Sequence, residues 1–356
     1  MKFSIATSFY NNPPIYVDRI YSQIKPQTYE NWEWVVSDDF SDNAGEIKDK
    51  LKKLSAKDPK VKYYETTKKK ERFWNPQLGC SGEWVVELGS DNYMFPKLLE
   101  IYKKLIENNP GIVGLSSNAT QYHGDEFSRY GIHDDTTMEW CKGYNYNRPP
   151  YSACYKNVIE DYGYEGLKYF QNDTNIVRQL ENKGDWLWVP RNLTKYTKRE
   201  DSISHKSYSK AEIKEIEEER LLIENKLNRK GITYSTKYLP VVNYCRAFTA
   251  YPKINEQSGL NLYFWAGDLE PYEKELLKEV FFDHNLVFEP QDNVDMYFFY
   301  VDKGSLRRFK EKIKTLKGKP YNLIYAGREI NNNEMHQLVN GGWQTGLFAL
   351  YKQGVL

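Results

Sequence analysis

The chain has 356 residues, 28% of them charged, with 50 Lys+Arg against 49 Asp+Glu and a formal net charge of +1. Its length predicts two domains, and 40% hydrophobic residues plus 22 Gly exclude disorder as the main state. No apolar run approaches the ~20 residues that span a bilayer, and so neutral a chain has no global electrostatic reason to bind nucleic acid or an anionic membrane.

In chain order, Phe3 to Phe9 reads as a short apolar strand and Ile15 to Ile24 as a helix. Trp32 to Ser37 is a second strand running into Asp38-Asp39, and Ile47 to Leu54 an amphipathic helix. Val61 to Tyr64 and Trp84 to Leu88 are further strands, Pro96 to Glu107 a helix and Ile112 to Ser116 a strand. Strands alternating with helices predict the α/β class, a mostly parallel sheet flanked by helices. Residues 117–150 are polar and Tyr-rich and read as loops, and helices are predicted near Lys156–Tyr162 and Thr174–Lys183. Residues 209–230 form a strongly charged helix, with Ser209 and Glu212 spaced as a capping box.

A second α/β pattern starts at Leu260, after Gln257-Ser258-Gly259, which reads as a linker. Leu260–Ala266, Asp295–Val301 and Tyr321–Ala326 are its strands, with Leu347–Tyr351 a further candidate, and Pro271–Phe282 and Ser305–Leu316 its helices. The division that follows is a first domain over 1–208, a charged helix and linker over 209–257, and a small α/β domain over 258–356. The small domain has no glycine-rich phosphate-binding signature, so support, self-association as a homo-oligomer and acceptor docking all stay open for it. Four scattered Cys, no CxxC and an N-terminus that turns polar early predict a reduced, cytoplasmic protein. The five His include no H-x-x-x-H pair, so no zinc site is expected.

Acidic residues at strand ends carry the chemistry. Asp38 and Asp39 follow the second strand, Asp91 follows the strand at 84–88, and Asp173 precedes a predicted helix. In a parallel sheet the first two sets share one edge, where ligands bind. There a carboxylate can accept from a nucleobase N–H, hold a hard divalent cation, or act as a base. Taken singly, each Asp equally fits a turn or a helix cap. Trp140, Trp186 and Trp188 are candidates to line an acceptor groove, with core packing the stronger reading for at least two. Lys68–Arg72 is a basic run that can reach a diphosphate or form a solvated loop.

In order, these segments resemble the inverting glycosyltransferase family 2. They are Ser4–Asn11, Gln27–Trp34, Val35–Asn43, Gly82-Glu83-Trp84 leading to Leu88–Asn92, Tyr162-Gly163-Tyr164 with Asn172-Asp173, and Arg199–Ser204. The resemblance covers about residues 1–205 and implies a GT-A fold and a nucleotide-diphosphate sugar donor, with UDP favoured. It implies that Thr7, Phe9 or Tyr10, and Asp39 meet the base, with Arg72, Asn75 and Ser90 also on the nucleotide. It also implies Mn²⁺ or Mg²⁺ on Asp91, and Asp173 as the general base for an acceptor hydroxyl, carbohydrate or other. Two departures stand out. The usual Asp-x-Asp is Gly89-Ser90-Asp91, and the usual tail His is Arg199, which can neutralise a phosphate, with His205 close by as a second metal ligand. The competing readings are a nucleotide-sugar-binding protein with weak or lost turnover, a nucleotidyltransferase, and a phage-type enzyme glycosylating modified DNA bases. Neutral net charge weighs against the last. Every motif lies before residue 209, so nucleotide binding is expected from the first domain alone.

Overall fold

The computed structural model describes residues 1–42, 44–65, 77, 79–123, 126–129, 153–157, 180, 183–198, 209–227, 233–249, 253–301, 304–314 and 321–325. The leading half alternates as expected: β1 (Phe3–Phe9), α1 (Ile15–Ile24), β2 (Trp32–Asp38), α2 (Ala44–Lys57), β3 (Val61–Tyr63) and β4 (Trp84–Glu87). β5 (Tyr93–Met94), α3 (Leu98–Asn108), β6 (Ile112–His123), β7 (Glu126–Arg129), β8 (Cys154–Lys156) and β9 (Asp185–Lys198) follow. Next come α4 (Lys210–Leu227), β10 (Tyr234–Ser235), α5 (Val242–Thr249) and α6 (Lys253–Glu256). Ser209 caps α4 as its spacing predicts: Glu212 N–H donates to Ser209 Oγ at 3.2 Å, and Ser209 N–H donates to Glu212 Oε2 at 2.8 Å.

Among the described residues the first sheet runs β10-β9-β6-β8-β4-β1-β2-β3, with β5 on β9 and β7 on β6. β1 pairs in parallel with β2 and β4, and β2 with β3. β8 runs antiparallel to both β4 and β6, so β6 runs the same way as β4, and β9 follows β6. The carboxyl ends of β1, β2, β4, β6 and β9 therefore share one edge. β2 is buried along its whole length, as a sheet covered on both faces requires.

Residues 117–123, expected as loop, continue β6, and β9 was not anticipated at all. Polar side chains buried between these two strands explain both. The indoles of Trp186 and Trp188 donate to Ser116 Oγ and Asn118 Oδ1 at 3.0 and 3.2 Å, and Asn192 Nδ2 donates to Thr120 Oγ1 at 3.2 Å. A bulge around Pro190-Arg191 breaks the register, since Ser117 pairs with Val189 and Asn118 with Asn192. A proline inside a strand is tolerated at such bulges and hides the strand from pattern reading. Trp186 also needs Gly114 opposite it, because a Cβ there would come within 2.2 Å of its ring. Trp186 and Trp188 are thus core, and Trp140 lies outside the described residues.

Among the described residues the second sheet is parallel throughout, β12-β11-β13-β14, from β11 (Asn261–Ala266), β12 (Asn285–Val287), β13 (Met296–Val301) and β14 (Tyr321–Tyr325), and the expected strand Leu347–Tyr351 lies outside the described residues. Its helices are α7 (Pro271–Val280) and α8 (Leu306–Lys314). Phe248 of α5 packs its ring 5.2, 4.3 and 4.5 Å from Phe264, Phe281 and Phe298. One apolar cluster runs unbroken from Phe3 through Leu187 and Phe248 to Phe298, so the two sheets share a core.

A buried ionic knot closes the seam. Arg191 in the β9 bulge donates to both Asp283 oxygens at 2.7 and 3.0 Å and, through Nε, to Asn255 Oδ1 at 2.9 Å. Lys97, just before α3, donates to Asp283 and to the carbonyl of Gln257, so the expected linker is itself fixed to the seam. Burial alone would raise the Asp283 carboxyl; Arg191, His284 and Lys97 outweigh it and hold it well below the usual range. Burial lowers Lys97 and His284 below their ordinary values.

Candidate active site

The site lies on the carboxyl edge of the first sheet. β1 ends at Phe9, which is fully buried in the core, and the next side chain, Tyr10, is half-buried. Of the two aromatic residues expected to stack on a base, Tyr10 is therefore the one that is not enclosed in the core. Thr7 is buried, and its Oγ1 accepts from the Trp34 indole at 3.0 Å, which places it inside the sheet.

Asp38 and Asp39 take different parts. Asp38 Oδ1 and Oδ2 accept from the hydroxyl and N–H of Ser41 at 2.6 and 3.2 Å, so this carboxylate builds the turn. That turn carries Phe40 at a φ of 57°. Asp39 extends the ladder by donating its N–H to the Phe9 carbonyl at 2.7 Å, and is 2% exposed. The β1 and β2 loops are then laced together. Asn11 N–H donates to Ser41 Oγ at 2.8 Å, and Asp42 N–H donates to Asn11 Oδ1 at 2.7 Å.

The loop after β4 is a tight turn in which Asn92 N–H donates to the Gly89 carbonyl at 3.1 Å. Ser90 and Asp91 occupy its tip, and both are half-buried. Asn12 Oδ1 accepts from Ser90 Oγ at 2.9 Å and from Tyr10 N–H at 3.0 Å, joining this turn to the β1 loop. On the other side, Asn92 Oδ1 accepts from Thr197 N–H near the end of β9 at 3.2 Å. Asp91 is thus displayed on a turn pinned from both sides, on the same edge as Tyr10 and Asp39.

Asn12, Asn92 and Thr197 are the site residues that sequence reasoning missed. Two Asn in turns after strands were the available signal. A further brace lies next to them: the Lys195 ammonium sits 4.7, 5.4 and 5.6 Å from the ring centroids of Tyr93, Phe95 and Tyr122, bonding β5, β6 and β9 through cation–π contact. The structure brings together Tyr10, Asp39, Ser90 and Asp91. Arg72, Asn75, Asp173, Arg199 and His205 lie outside the described residues.

Among the described residues no group of three or more His, Cys, Asp or Glu could hold a metal. A half-buried carboxylate at a turn tip does fit a hard cation whose remaining ligands are phosphate oxygens and water. Among the described residues, too, no helix is long and apolar enough to cross a membrane.

Residues 4–163 match the family described as Glycosyl transferase family 2. The match takes in the β1, β2 and β4 loops and stops short of Asp173, Arg199 and His205. No curated protein matches the chain. Among solved structures, the 1–349 portion of S. aureus TarS in complex with UDP-GlcNAc is 15% identical, with a TM-score of 0.48, over 71% of this chain and 74% of that one. The mannosyltransferase PcManGT from Pyrobaculum calidifontis, in complex with GDP-Man and Mn²⁺, is 15% identical, with a TM-score of 0.41, over 71% of each chain. Over residues 4–163 this chain resembles glycosyl transferase family 2, and glycosyl transfer is the chemistry that the resemblance supports.

Proposed function

We propose that the chain transfers a sugar from a nucleotide-diphosphate donor, UDP being favoured, to an acceptor hydroxyl with inversion and with help from Mn²⁺ or Mg²⁺. One observation carries the reading: Asn12 ties the turn that displays Asp91 to the loop that displays Tyr10, beside Asp39, within the segment that matches the family. Tyr10 offers a face to the base, and Asp39 accepts from its imide N–H, the contact that favours uracil. Ser90, Arg72 and Asn75 complete the nucleotide site. Asp91 and, from the tail, His205 would hold the cation, which when bound would offset charge developing on the leaving diphosphate. Arg199 faces the phosphates as a fixed positive charge. Asp173 takes the proton of the acceptor hydroxyl as its oxygen attacks the anomeric carbon from the face opposite the leaving group. One displacement inverts that centre.

Gly89, in place of the first acidic residue of the usual pair, favours a second reading: a protein that binds a nucleotide sugar and turns it over slowly. One experiment separates the two. The purified chain is incubated with a panel of UDP- and GDP-sugars and Mn²⁺, and free nucleotide is followed with and without saccharide acceptors. Release above background from a UDP-sugar supports the transferase. Saturable binding with no release supports the binder, and neither outcome with any donor removes both.

A further inference from the structure

The glycine at position 89 is not an empty place. A Cβ built there would lie 2.6 Å from Asn92 Nδ2, closer than side chains approach without something moving, and a tight 3.3 Å from both Asn92 Cγ and Asp91 Oδ1. The end of the Asn92 carboxamide lies where the first atom of a side chain at the exposed position 89 would go, and it would have to swing aside. That carboxamide is held in place: its Oδ1 accepts from Thr197 N–H, while its own backbone N–H closes the turn onto Gly89. An aspartate at 89 would have to displace a side chain that stitches the turn to β9.

We propose that Asn92 is a positioning residue that holds Asp91 at the turn tip and, by lying against Gly89, disfavours a second carboxylate there. The inference rests on the donor-site reading above for its consequence, though its packing content stands without it. The space beside Asp91 then presents an amide NH₂, a hydrogen-bond donor, in place of a second anion. A bound cation would then take a single carboxylate from this turn, and a diphosphate oxygen reaching Asn92 would meet a donor instead of a repelling charge.

The test is a double-mutant cycle on the full chain with Gly89→Asp, Asn92→Ala and both together. Melting is read without nucleotide, and Mn²⁺ affinity is read with UDP by the electron-spin signal of free Mn²⁺. Gly89→Asp alone is expected to melt below wild type and to bind Mn²⁺·UDP no more tightly than wild type. Adding Asn92→Ala should restore melting relative to that single variant and tighten Mn²⁺ by roughly tenfold, about 1.4 kcal/mol. Asn92→Ala alone should speed hydrogen exchange at the Thr197 amide by at least roughly tenfold, since its acceptor is gone. Three results overturn the proposal: Gly89→Asp melting like wild type with tighter Mn²⁺, a double variant no tighter than Gly89→Asp, or unchanged exchange at Thr197. Failure of the wild-type chain to bind UDP with Mn²⁺ would sink the donor reading instead, leaving the melting cycle and the Thr197 exchange to judge the packing claim.

Discussion

Asp283→Asn tests what joins the two sheets. The substitution keeps the shape of the side chain and removes its charge. Arg191 and Lys97, each 1% exposed at the side chain, would then face an amide, and the bidentate Arg191 contact at 2.7 and 3.0 Å would lose one acceptor to an NH₂ that cannot accept. Breaking a buried pair by removing one partner costs about 3–5 kcal/mol, because it strands the other charge. Domains are commonly stable by only about 5–15 kcal/mol, so this is a large fraction. At roughly 2–4 °C per kcal/mol for a somewhat smaller protein, the midpoint should fall by about 5–15 °C. Differential scanning calorimetry at pH 7.5 reads it, and a split transition would show the second sheet loosening first. Sign follows from the carboxyl being held below its unfolded value of 3.8: its stabilisation is complete above that pH and fades as pH falls below it. A midpoint within 2 °C or so of wild type at pH 7.5 would refute the knot as the element that holds the seam.

Glu33, 2% exposed at the start of β2, accepts from Lys2, Lys62, Ser4 and Ser81, and these bonds outweigh its burial and keep its carboxyl well below 4.5. Glu33→Gln should cost about 2–4 kcal/mol at pH 7, discounted because both lysines are partly exposed; in denaturant titrations the difference should shrink by about 1.4 kcal/mol for each pH unit below 4.5, and a pH-independent difference would contradict the assignment. Burial pushes the Cys80 thiol up to about 12, so a thiol-reactive probe at pH 8 should label it slowly in the folded chain and quickly in denaturant. Asp91→Asn should abolish divalent-dependent binding of UDP, and equal UDP affinity with EDTA and with Mn²⁺ in the wild-type chain would remove the metal role. Asp173→Asn should leave melting and donor binding near wild type and lower transfer by roughly 10² to 10⁴, and retained transfer would assign the base elsewhere.

The elements most visible in the sequence were those with a plain apolar period. β1 and β2 are apolar at four of seven positions each, α1 has its expected bounds, α7 starts where expected, and α3 lies within two residues of its expected bounds. β9 was hidden because Pro190 and a run of polar residues stand where a buried strand would be apolar, and pairing with β6 is what brings Asn118 Oδ1 to the Trp188 indole and Asn192 Nδ2 to Thr120 Oγ1. The same limit applies to the site. Asp38, Asp39 and Asp91 could be seen at strand ends, but not that Asp38 is consumed by Ser41. Asn12 looks like any turn residue until two loops are found to share its one oxygen. Gly89 reads as a loss in sequence, and only the structure shows that the Asn92 carboxamide lies against it.

Whether nucleotide binding belongs to residues 1–208 alone cannot be asked cleanly by cutting the chain. An end at Arg229 would strip α5 and the second sheet from a shared core, and would leave Lys97 and Arg191 without Asp283. Both cations lie in elements that frame the Asp91 turn: Lys97 follows β5, and Arg191 sits in the bulge of β9, whose later residue Thr197 donates to Asn92. A truncated chain that failed to bind UDP would thus confuse loss of contact with loss of fold. Asp283→Asn in the full chain asks the question without that confusion. The turn is also held from the opposite side, by Ser90 on Asn12, and that anchor does not touch the seam. UDP affinity with Mn²⁺ should therefore stay within about threefold of wild type, a shift of roughly 0.7 kcal/mol, even as the midpoint falls. A folded variant that lost tenfold or more would make the second sheet part of the donor site's frame, reached through β9.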